Sequence, residues 1–200
     1  MTSSLTQIGS GLEIWDGTKI FFYDGSDKRD IVLKNNVSLL GCSLSSLSHG
    51  KINIGNYVKI GAGCKLFAVD SITIGDYTAI ATDVTIVDNN NHPINPDYRK
   101  YMRTTPHHDD ARSWYHSDHK PITIGSNCWI GANVRIQKGV VIGDNSVIAA
   151  CSVVTKDVPT NCIAAGNPAK IVKTDIDMIP APTSCKGYNE YIASKLIKNE

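Results

Sequence analysis

The 200-residue sequence predicts an all-β fold, a parallel β-helix made of hexapeptide repeats. Aliphatic residues recur every six positions, glycine or alanine often follows them, and the fifth position of each hexad is small or aliphatic. In the second half of the chain the first positions are Ile124, Ile130, Ile136, Ile142, Ile148 and Val154. The fifth positions are Cys128, Val134, Val140, Ser146, Ser152 and Val158. A period of six fits neither a strand nor an amphipathic helix, whereas fixed short repeats are typical of β-helices.

The N-terminal segment is expected to be irregular, because residues 1–32 do not keep the hexad register. Within it, the run from Ile20 to Tyr23 before Asp24-Gly25 indicates a short strand that enters a turn. Residues 33–44 are predicted to form an imperfect first coil, with Val37 and Ser43 at the fifth positions.

The β-helix is predicted over residues 33–173 of a single domain that spans 1–200. Its regular coils are expected at 54–71, 74–91, 124–141 and 142–159. Each coil is three short strands joined by tight corners, where glycine or alanine has little side chain to clash. Because one coil cannot bury its own apolar faces, the stack must be capped. The C-terminal tail, residues 174–200, provides a candidate cap in a short amphipathic helix, Tyr188–Lys198.

The repeat is interrupted by a long polar insertion at about residues 89–121, which holds five of the six histidines. Loops longer than about 12–15 residues are usually functional or disordered. We expect this inserted loop to project from one side of the prism, where it could reach a neighbouring subunit.

The net charge, the N-terminal sequence and the cysteines restrict the binding partners and the cellular compartment that we expect. A net charge of +1 gives no support for nucleic-acid binding by bulk electrostatics. The N-terminus has no basic and apolar signal pattern and no apolar run is long enough for a membrane span, so a cytoplasmic protein is expected. The six cysteines form no CxxC pair, and Cys64 and Cys128 occupy inward fifth positions that indicate buried packing.

Three motifs resemble the hexapeptide-repeat acyltransferases: NCWIGA at 127–132, VVTKDVP at 153–159 and AGNPAK at 165–170. Within that family the chain is most similar to the maltose, galactoside and polysaccharide O-acetyltransferase group, over about residues 52–173. The resemblance implies a left-handed β-helix, a homotrimer, and acetyl-CoA bound in the groove between adjacent prisms.

The resemblance makes His92, in the His92-Pro93 segment, the general base. The chemistry suits this role, because a sugar hydroxyl is a poor nucleophile until a base takes its proton and imidazole titrates near neutral pH. The alternative is an exposed loop histidine. Asp88 could orient the His92 ring, or it could be an ordinary turn aspartate at the end of a strand.

The resemblance also assigns seven cofactor-binding residues. Trp129 points outward from the prism, and two small residues, Ala132 and Ala150, leave backbone free for the pantetheine arm. Thr155 and Lys156 match positions near the adenine end. Lys170 and Lys173 match basic positions near the CoA phosphates, where lysine keeps the charge without the bidentate geometry of arginine. For these last four residues, ordinary exposed polar side chains are the alternative.

The predicted activity is acetyl transfer from acetyl-CoA to a hydroxyl of a sugar or glycan. An N-acetyltransferase that acts on an amino sugar or an antibiotic-like molecule is one alternative, and a non-catalytic β-helix scaffold is another. No metal is expected, because the remaining histidines of the insertion lack metal-site spacing on a regular element.

Overall fold

The computed structural model describes residues 7–197, with side chains to residue 194. Its strands are β1 Gln7–Ile8, β2 Glu13–Ile14, β3 Lys19–Tyr23, β4 Ile31–Leu33, β5 Ser38–Leu39, β6 Ser43–Leu47, β7 Lys51–Ile54, β8 Lys59–Ile60, β9 Lys65–Ala68, β10 Ser71–Ile74, β11 Ala79–Ile80, β12 Thr85–Val87, β13 Ile122–Ile124, β14 Trp129–Ile130, β15 Arg135–Ile136, β16 Val141–Ile142, β17 Val147–Ile148, β18 Val153–Val154, β19 Ile163–Gly166 and β20 Ala169–Lys173. The two α-helices are α1 Pro96–Thr104 and α2 Lys186–Ile197.

The strands form three sheets, which are the three faces of a left-handed β-helical prism. Face A is β1-β4-β7-β10-β13-β16, face B is β2-β5-β8-β11-β14-β17-β19-β20, and face C is β3-β6-β9-β12-β15-β18. All neighbours pair in parallel except β19 and β20. The chain therefore runs A to B to C in every coil. We number the coils 1 (7–23), 2 (31–47), 3 (51–68), 4 (71–87), 5 (122–136) and 6 (141–154), and name the edges between faces the BC corner and the CA corner.

The core is a stack of aliphatic side chains inside the prism, as the hexads predict. The six first positions from Ile124 to Val154 and their six fifth positions are buried. Each first residue pairs with the first residue of the next coil, as Ile80 does with Ile130 and Ile130 with Ile148. Most strands therefore alternate an inward, buried side chain with an outward one, which leaves the outward residues free for other contacts.

The predicted irregular N-terminal segment is wrong for residues 7–23, which form coil 1, and for residues 31–32, which begin coil 2. Strands β1, β2 and β3 pair in parallel with β4, β5 and β6. Ile8, Ile14 and Ile20 are six residues apart, and Thr18 is buried at a fifth position, where its hydroxyl donates to Leu39 O. A turn at 24–30 then breaks the period before coil 2. The predicted strand at Ile20–Tyr23 is confirmed within β3, and residues 1–6 lie outside the described range.

Coil 2 departs from the predicted register at one corner. Val37 is buried at a fifth position as expected, whereas Ser43 is not: it lies outward in β6 opposite Lys65. Cys42 is buried instead. This BC corner has one residue fewer than the corner that contains Cys64, so the inward position moves back by one.

The insertion is partly helical, which the polar sequence did not predict. Helix α1 has Asn95 as its N-cap, whose side chain accepts from Tyr98 N, and Pro96 at its first turn. Two 3-10 helices follow at Asp110–Arg112 and Trp114–His116. The insertion begins and ends at the CA corner of coil 4, where Asn89 forms an antiparallel bridge with His119.

The C-terminal part closes face B with a hairpin rather than with the predicted helix. Strand β20 folds back antiparallel on β19 and ends face B. Helix α2 is present, but its described side chains, 186–194, are all exposed. The predicted capping role of the helix is therefore wrong in this chain, and Lys198 lies outside the described residues. Within 7–197, no helix combines the length and hydrophobicity needed to cross a lipid bilayer.

Candidate active site

The insertion is anchored at its start by the buried carboxylate of Asp88. Its oxygens accept hydrogen bonds from the backbone N–H groups of Val69 at 2.9 and 3.0 Å and of Asp70 at 2.8 Å. The side chain of Asn89 donates to it at 3.1 Å. Burial raises the pKa of Asp88 above its usual value, although these hydrogen bonds act in the opposite direction. Asp88 therefore ties the end of coil 4 to coil 3, and it does not hydrogen-bond to His92 as one reading of the sequence suggested.

His92 lies four residues beyond this anchor, half-buried at the root of the insertion. Its Nδ1 atom is buried without a hydrogen-bond partner among the described residues. The preceding residue, Asn91, has a φ of 66°, a left-handed conformation that asparagine adopts more readily than most residues. Its Oδ1 accepts from Trp114 Nε1 at 2.8 Å. The backbone just before His92 is thus fixed against the far end of the insertion, a contact that sequence reasoning missed.

A second histidine of the insertion, His119, lies beside a carboxylate. Its Nδ1 is buried without a hydrogen bond and is 3.7 Å from Asp70 Oδ2, beyond hydrogen-bond distance. The ring of Tyr115 is 5.4 Å from the His119 ring, centroid to centroid. Nearby, Asp118 pairs at 2.5 Å with Lys138, which directly follows coil 5, and the hydrogen bond from Lys138 holds the pKa of Asp118 below its usual range. These contacts hold the returning end of the insertion against coils 3 and 5.

Three of the predicted cofactor residues form one surface at face B and its BC corner. Trp129 is 60% exposed and stands between Ala79 and Val147 on the outer side of face B. Ala132 and Ala150 occupy the BC corners of coils 5 and 6, where Cys151 N donates to Ala132 O at 2.8 Å. A Cβ added at Gly131 would lie 2.6 Å from the backbone nitrogen of Ala150, so the backbones of the two coils are in close contact.

Lys170 and Lys173 belong to the same surface. Lys170 pairs with Ala165 and Lys173 with Ile163 across the β19–β20 hairpin, and the register shifts between these pairs so that Val172 is unpaired. Ile163 and Ala165 share a side of β19, the side opposite buried Ala164. Paired residues point to the same side of a sheet. Both lysines therefore face outward, like Trp129, and we call these five residues the B-side surface.

Thr155 and Lys156 lie elsewhere, at the CA corner of coil 6. Both are exposed, and they follow β18 of face C. The insertion that carries His92 leaves the prism at the same corner, two coils lower. We call His92, Thr155 and Lys156 the CA-corner surface. The full width of face C separates it from the B-side surface, so one chain does not bring the eight predicted site residues together.

The other histidines of the insertion take part in separate contacts. His116 Nε2 is 3.1 Å from Asp110 Oδ2, and His107 and His108 line a polar pocket with Asp24 and His49. Within the described part of the chain, no group of three or more histidine, cysteine, aspartate or glutamate side chains is arranged to hold a metal ion.

Comparisons with known proteins agree with this architecture. The family described as bacterial transferase hexapeptide (six repeats) matches residues 121–156. Galactoside O-acetyltransferase of Escherichia coli K12 is 37% identical over 153 residues, which is 74% of this chain and 68% of that protein. The putative colanic acid biosynthesis acetyltransferase WcaF of the same organism is 30% identical over 127 residues, 64% of this chain and 60% of that protein.

The fold also matches a solved structure over almost its whole length. It is similar to the N-acyltransferase AntD from Bacillus cereus, crystallised with dTDP and 3-hydroxybutyryl-CoA, with a TM-score of 0.70. The two sequences are 21% identical, and the match covers 97% of this chain and 93% of the other. Together with the hexad core and the galactoside O-acetyltransferase match, this leads to one conclusion: the chain belongs to the hexapeptide-repeat, left-handed β-helix family of acyltransferases.

Proposed function

We propose that this enzyme transfers an acetyl group from acetyl-CoA to a hydroxyl of a sugar or polysaccharide, with His92 as the general base. The observation that carries the proposal is the division of the site residues between the two corners that flank face C. A half-site with small residues and cations lies at one corner, and a histidine with an unpaired buried nitrogen lies at the other.

A homotrimer joins these halves. In a cyclic trimer with face C toward the symmetry axis, the BC corner of one chain lies beside the CA corner of its neighbour. Outward apolar side chains on face C, among them Phe21, Phe67 and Val87, favour this packing. His92, Thr155 and Lys156 then come from one chain, and the B-side surface comes from the next. Each of the three sites is an interface site.

The B-side surface suits acetyl-CoA in shape and charge. Ala132 and Ala150 have no side chain beyond Cβ, which leaves backbone N–H and C=O groups open to the amides of a pantetheine arm. Lys170 and Lys173 supply positive charge for phosphates at the upper end of face B. Trp129, a residue that is 60% exposed, adds a large apolar surface lower on the same face.

The reaction needs two proton transfers and one acyl transfer. His92 takes the proton of the acceptor hydroxyl as its oxygen attacks the thioester carbonyl. The tetrahedral intermediate collapses with loss of the CoA thiolate, and the proton passes to that sulfur. A general base at this position contributes about 10²–10⁴ in rate.

A sugar hydroxyl is the preferred acceptor because of the relatives. One is named a galactoside O-acetyltransferase and another a colanic acid biosynthesis acetyltransferase. Transfer to an amine is the competing chemistry. Because amide and ester products differ in their stability to mild base, product mass before and after base treatment separates the two.

The test compares wild type with His92→Ala in an acceptor screen that follows free-thiol release and product mass. We expect the variant to lose about 10²–10⁴ in kcat while its affinity for acetyl-CoA is unchanged. His49→Ala is the matched control, because His49 is an exposed histidine at the CA corner after coil 2 and is not one of the predicted site residues. Equal turnover of wild type and His92→Ala would remove His92 from the mechanism, and failure of wild type to bind CoA would favour a non-catalytic scaffold.

A further inference from the structure

A groove continues the B-side surface downward from Trp129 toward the N-terminal end of the prism. It has a volume of about 430 Å³ and ends at Trp15 in coil 1. Between the two tryptophans its floor consists mainly of small residues, Gly61, Ala62, Ala79 and Ala81. Trp15 and Trp129 lie four coils apart, and at the usual strand spacing this corresponds to about 19 Å. A groove of this length is several times longer than one sugar ring.

Trp15 is exposed and yet held in place. The residue is 56% exposed, and its Nε1–H donates to Glu13 Oε1 at 2.8 Å. The other oxygen of Glu13 accepts from Ser38 Oγ at 2.9 Å, which connects the indole to coil 2. With the polar edge of the ring satisfied, its apolar surface remains for contact with a ligand. An oriented, exposed indole with a satisfied N–H suits stacking against the C–H face of a pyranose.

Lys59 supplies the charge of the groove. Among the ten residues that line it, Lys59 alone is charged, and its ammonium makes no ion pair or hydrogen bond with the described residues. It is exposed on β8, two coils above Trp15. Hydrogen bonds from Trp15 and Ser38, and then the charge of Lys59, lower the pKa of Glu13, so this carboxylate is ionised and offsets part of the Lys59 charge. Because Glu13 is not hydrogen-bonded to Lys59, the ammonium keeps its donors for an anionic group of a ligand in the groove.

The position of His92 along the prism axis determines on which side of it the acceptor binds. In a cyclic trimer of prisms that stand along the axis, equal coils lie at equal heights. His92 leaves coil 4, whereas the predicted cofactor residues lie at coil 5 and above. The part of the groove below coil 4 is then free for the acceptor. It extends about 14 Å, or three coil spacings, from the level of His92 to Trp15.

We propose that this lower groove binds an acidic oligosaccharide, with one pyranose stacked on Trp15 and a carboxylate of the chain paired with Lys59. The inference rests on the proposed acetyl transfer and goes further by assigning the acceptor as an extended acidic glycan. Sugar units beyond the acetylated one provide binding energy, and Trp15 is a specificity-determining residue.

The test measures binding by calorimetry in the absence of acetyl-CoA. The probes are tetragalacturonate and tetrasialic acid as acidic chains, cellotetraose as a neutral chain, and the monosaccharide of each. We expect at least one acidic tetrasaccharide to bind more tightly than its monosaccharide and than cellotetraose. Trp15→Ala should weaken that binding roughly five- to thirtyfold, as loss of a central contact residue does. Trp15→Phe should restore most of it.

Further variants separate the contribution of the Lys59 charge from that of the Trp15 ring. Lys59→Gln should weaken binding of the acidic chain and reduce its salt dependence while leaving the neutral chain unaffected. Tyr188→Ala, which removes an exposed aromatic ring on α2, is the matched control and should bind like wild type. In turnover assays Trp15→Ala should raise KM for the tetrasaccharide and leave kcat unchanged.

Two binding results would overturn the inference. One is equal affinity of wild type for every acidic chain and its monosaccharide, and the other is unchanged affinity in Trp15→Ala. Neither result bears on the proposed acetyl transfer, which is tested separately by CoA binding and by the rate of His92→Ala. Acetylation of a neutral monosaccharide as efficiently as of the acidic chains would confirm transferase activity and reject the acidic, extended acceptor.

Discussion

Lys170 and Lys173 point to the same side of the C-terminal hairpin although they are three residues apart. In a regular strand such residues face opposite sides. Here Lys170 pairs with Ala165 and Lys173 with Ile163, and the unpaired Val172 between them restores the common orientation. The bulge thus places two cations together on the outer side of face B, above Trp129.

The lysine pair leads to a prediction about cofactor affinity. Lys170→Gln with Lys173→Gln should raise KM for acetyl-CoA several-fold and leave kcat unchanged, because phosphates bound far from the thioester contribute equally to ground and transition states. The defect should shrink at high salt, where exposed charges are screened. Lys186→Gln on α2 is the control. Steady-state kinetics at two ionic strengths provides the measurement, and a loss confined to kcat would contradict the assignment.

The division of the site between two chains predicts complementation. His92→Ala lacks the base, and Ala150→Trp should block the cofactor groove at an exposed corner without disturbing the core. Each variant alone should be inactive. In trimers assembled at random from equal amounts of both, about one quarter of the sites would combine an intact His92 with an intact groove.

Co-expression of the two variants with different tags, followed by purification through both tags, gives mixed trimers for assay. Recovered activity supports a site shared between neighbours. If the mixed trimers stay as inactive as the separate variants, although each binds the other, the site is contained in one chain.

The buried carboxylate of Asp88 predicts a pH-dependent contribution to stability. Burial raises its pKa in the folded protein above the usual 3.8, so the folded state binds the proton more tightly than the unfolded chain. The stabilisation from this group is therefore greatest at low pH and falls as pH rises from about 3.8 through the raised pKa. Asp88→Asn loses hydrogen-bond acceptors for Val69 and Asp70 and should be less stable overall.

The difference in free energy of unfolding between wild type and Asp88→Asn should shrink as pH rises from about 4 to 7. Urea unfolding at several pH values measures it. Asp177→Asn, at an exposed aspartate, is the control and should show no such slope. A gap that widens with pH would mean that the hydrogen bonds, rather than burial, decide the pKa of Asp88.

Much of the fold could be predicted from the sequence, and coil 1, which was missed, could have been predicted too. The inward first and fifth positions from Ile124 to Val158 were predicted correctly, because burial inside a narrow prism permits only aliphatic or small residues there. Coil 1 carries the same period at Ile8, Ile14 and Ile20, but the turn at 24–30 and the aromatic residues of β3 obscured it. Helix α1 was missed because its residues are mainly polar and exposed, so no apolar period marked it.

Single site residues could be assigned from the sequence, but their arrangement could not. The roles that the resemblance assigns to His92 and the seven cofactor positions stay predictions, whereas the Asn91–Trp114 hydrogen bond joins residues 23 apart across an irregular insertion. The one local signal was an asparagine before His92, a residue type that adopts the left-handed conformation more readily than most. The contact between His119 and Asp70 carries no sequence signal, since polar residues in loops follow no period.

The sequence by itself determined the prism, because a six-residue period dictates which side chain is buried at every turn of the chain. Only the tertiary structure decided where the outward residues meet. Outward positions are not constrained by burial, so their grouping depends on which corner each coil presents and on local shifts such as the bulge at Val172. Those geometric facts separate Trp129 from His92 across face C, and they join Trp129 to Trp15 along face B.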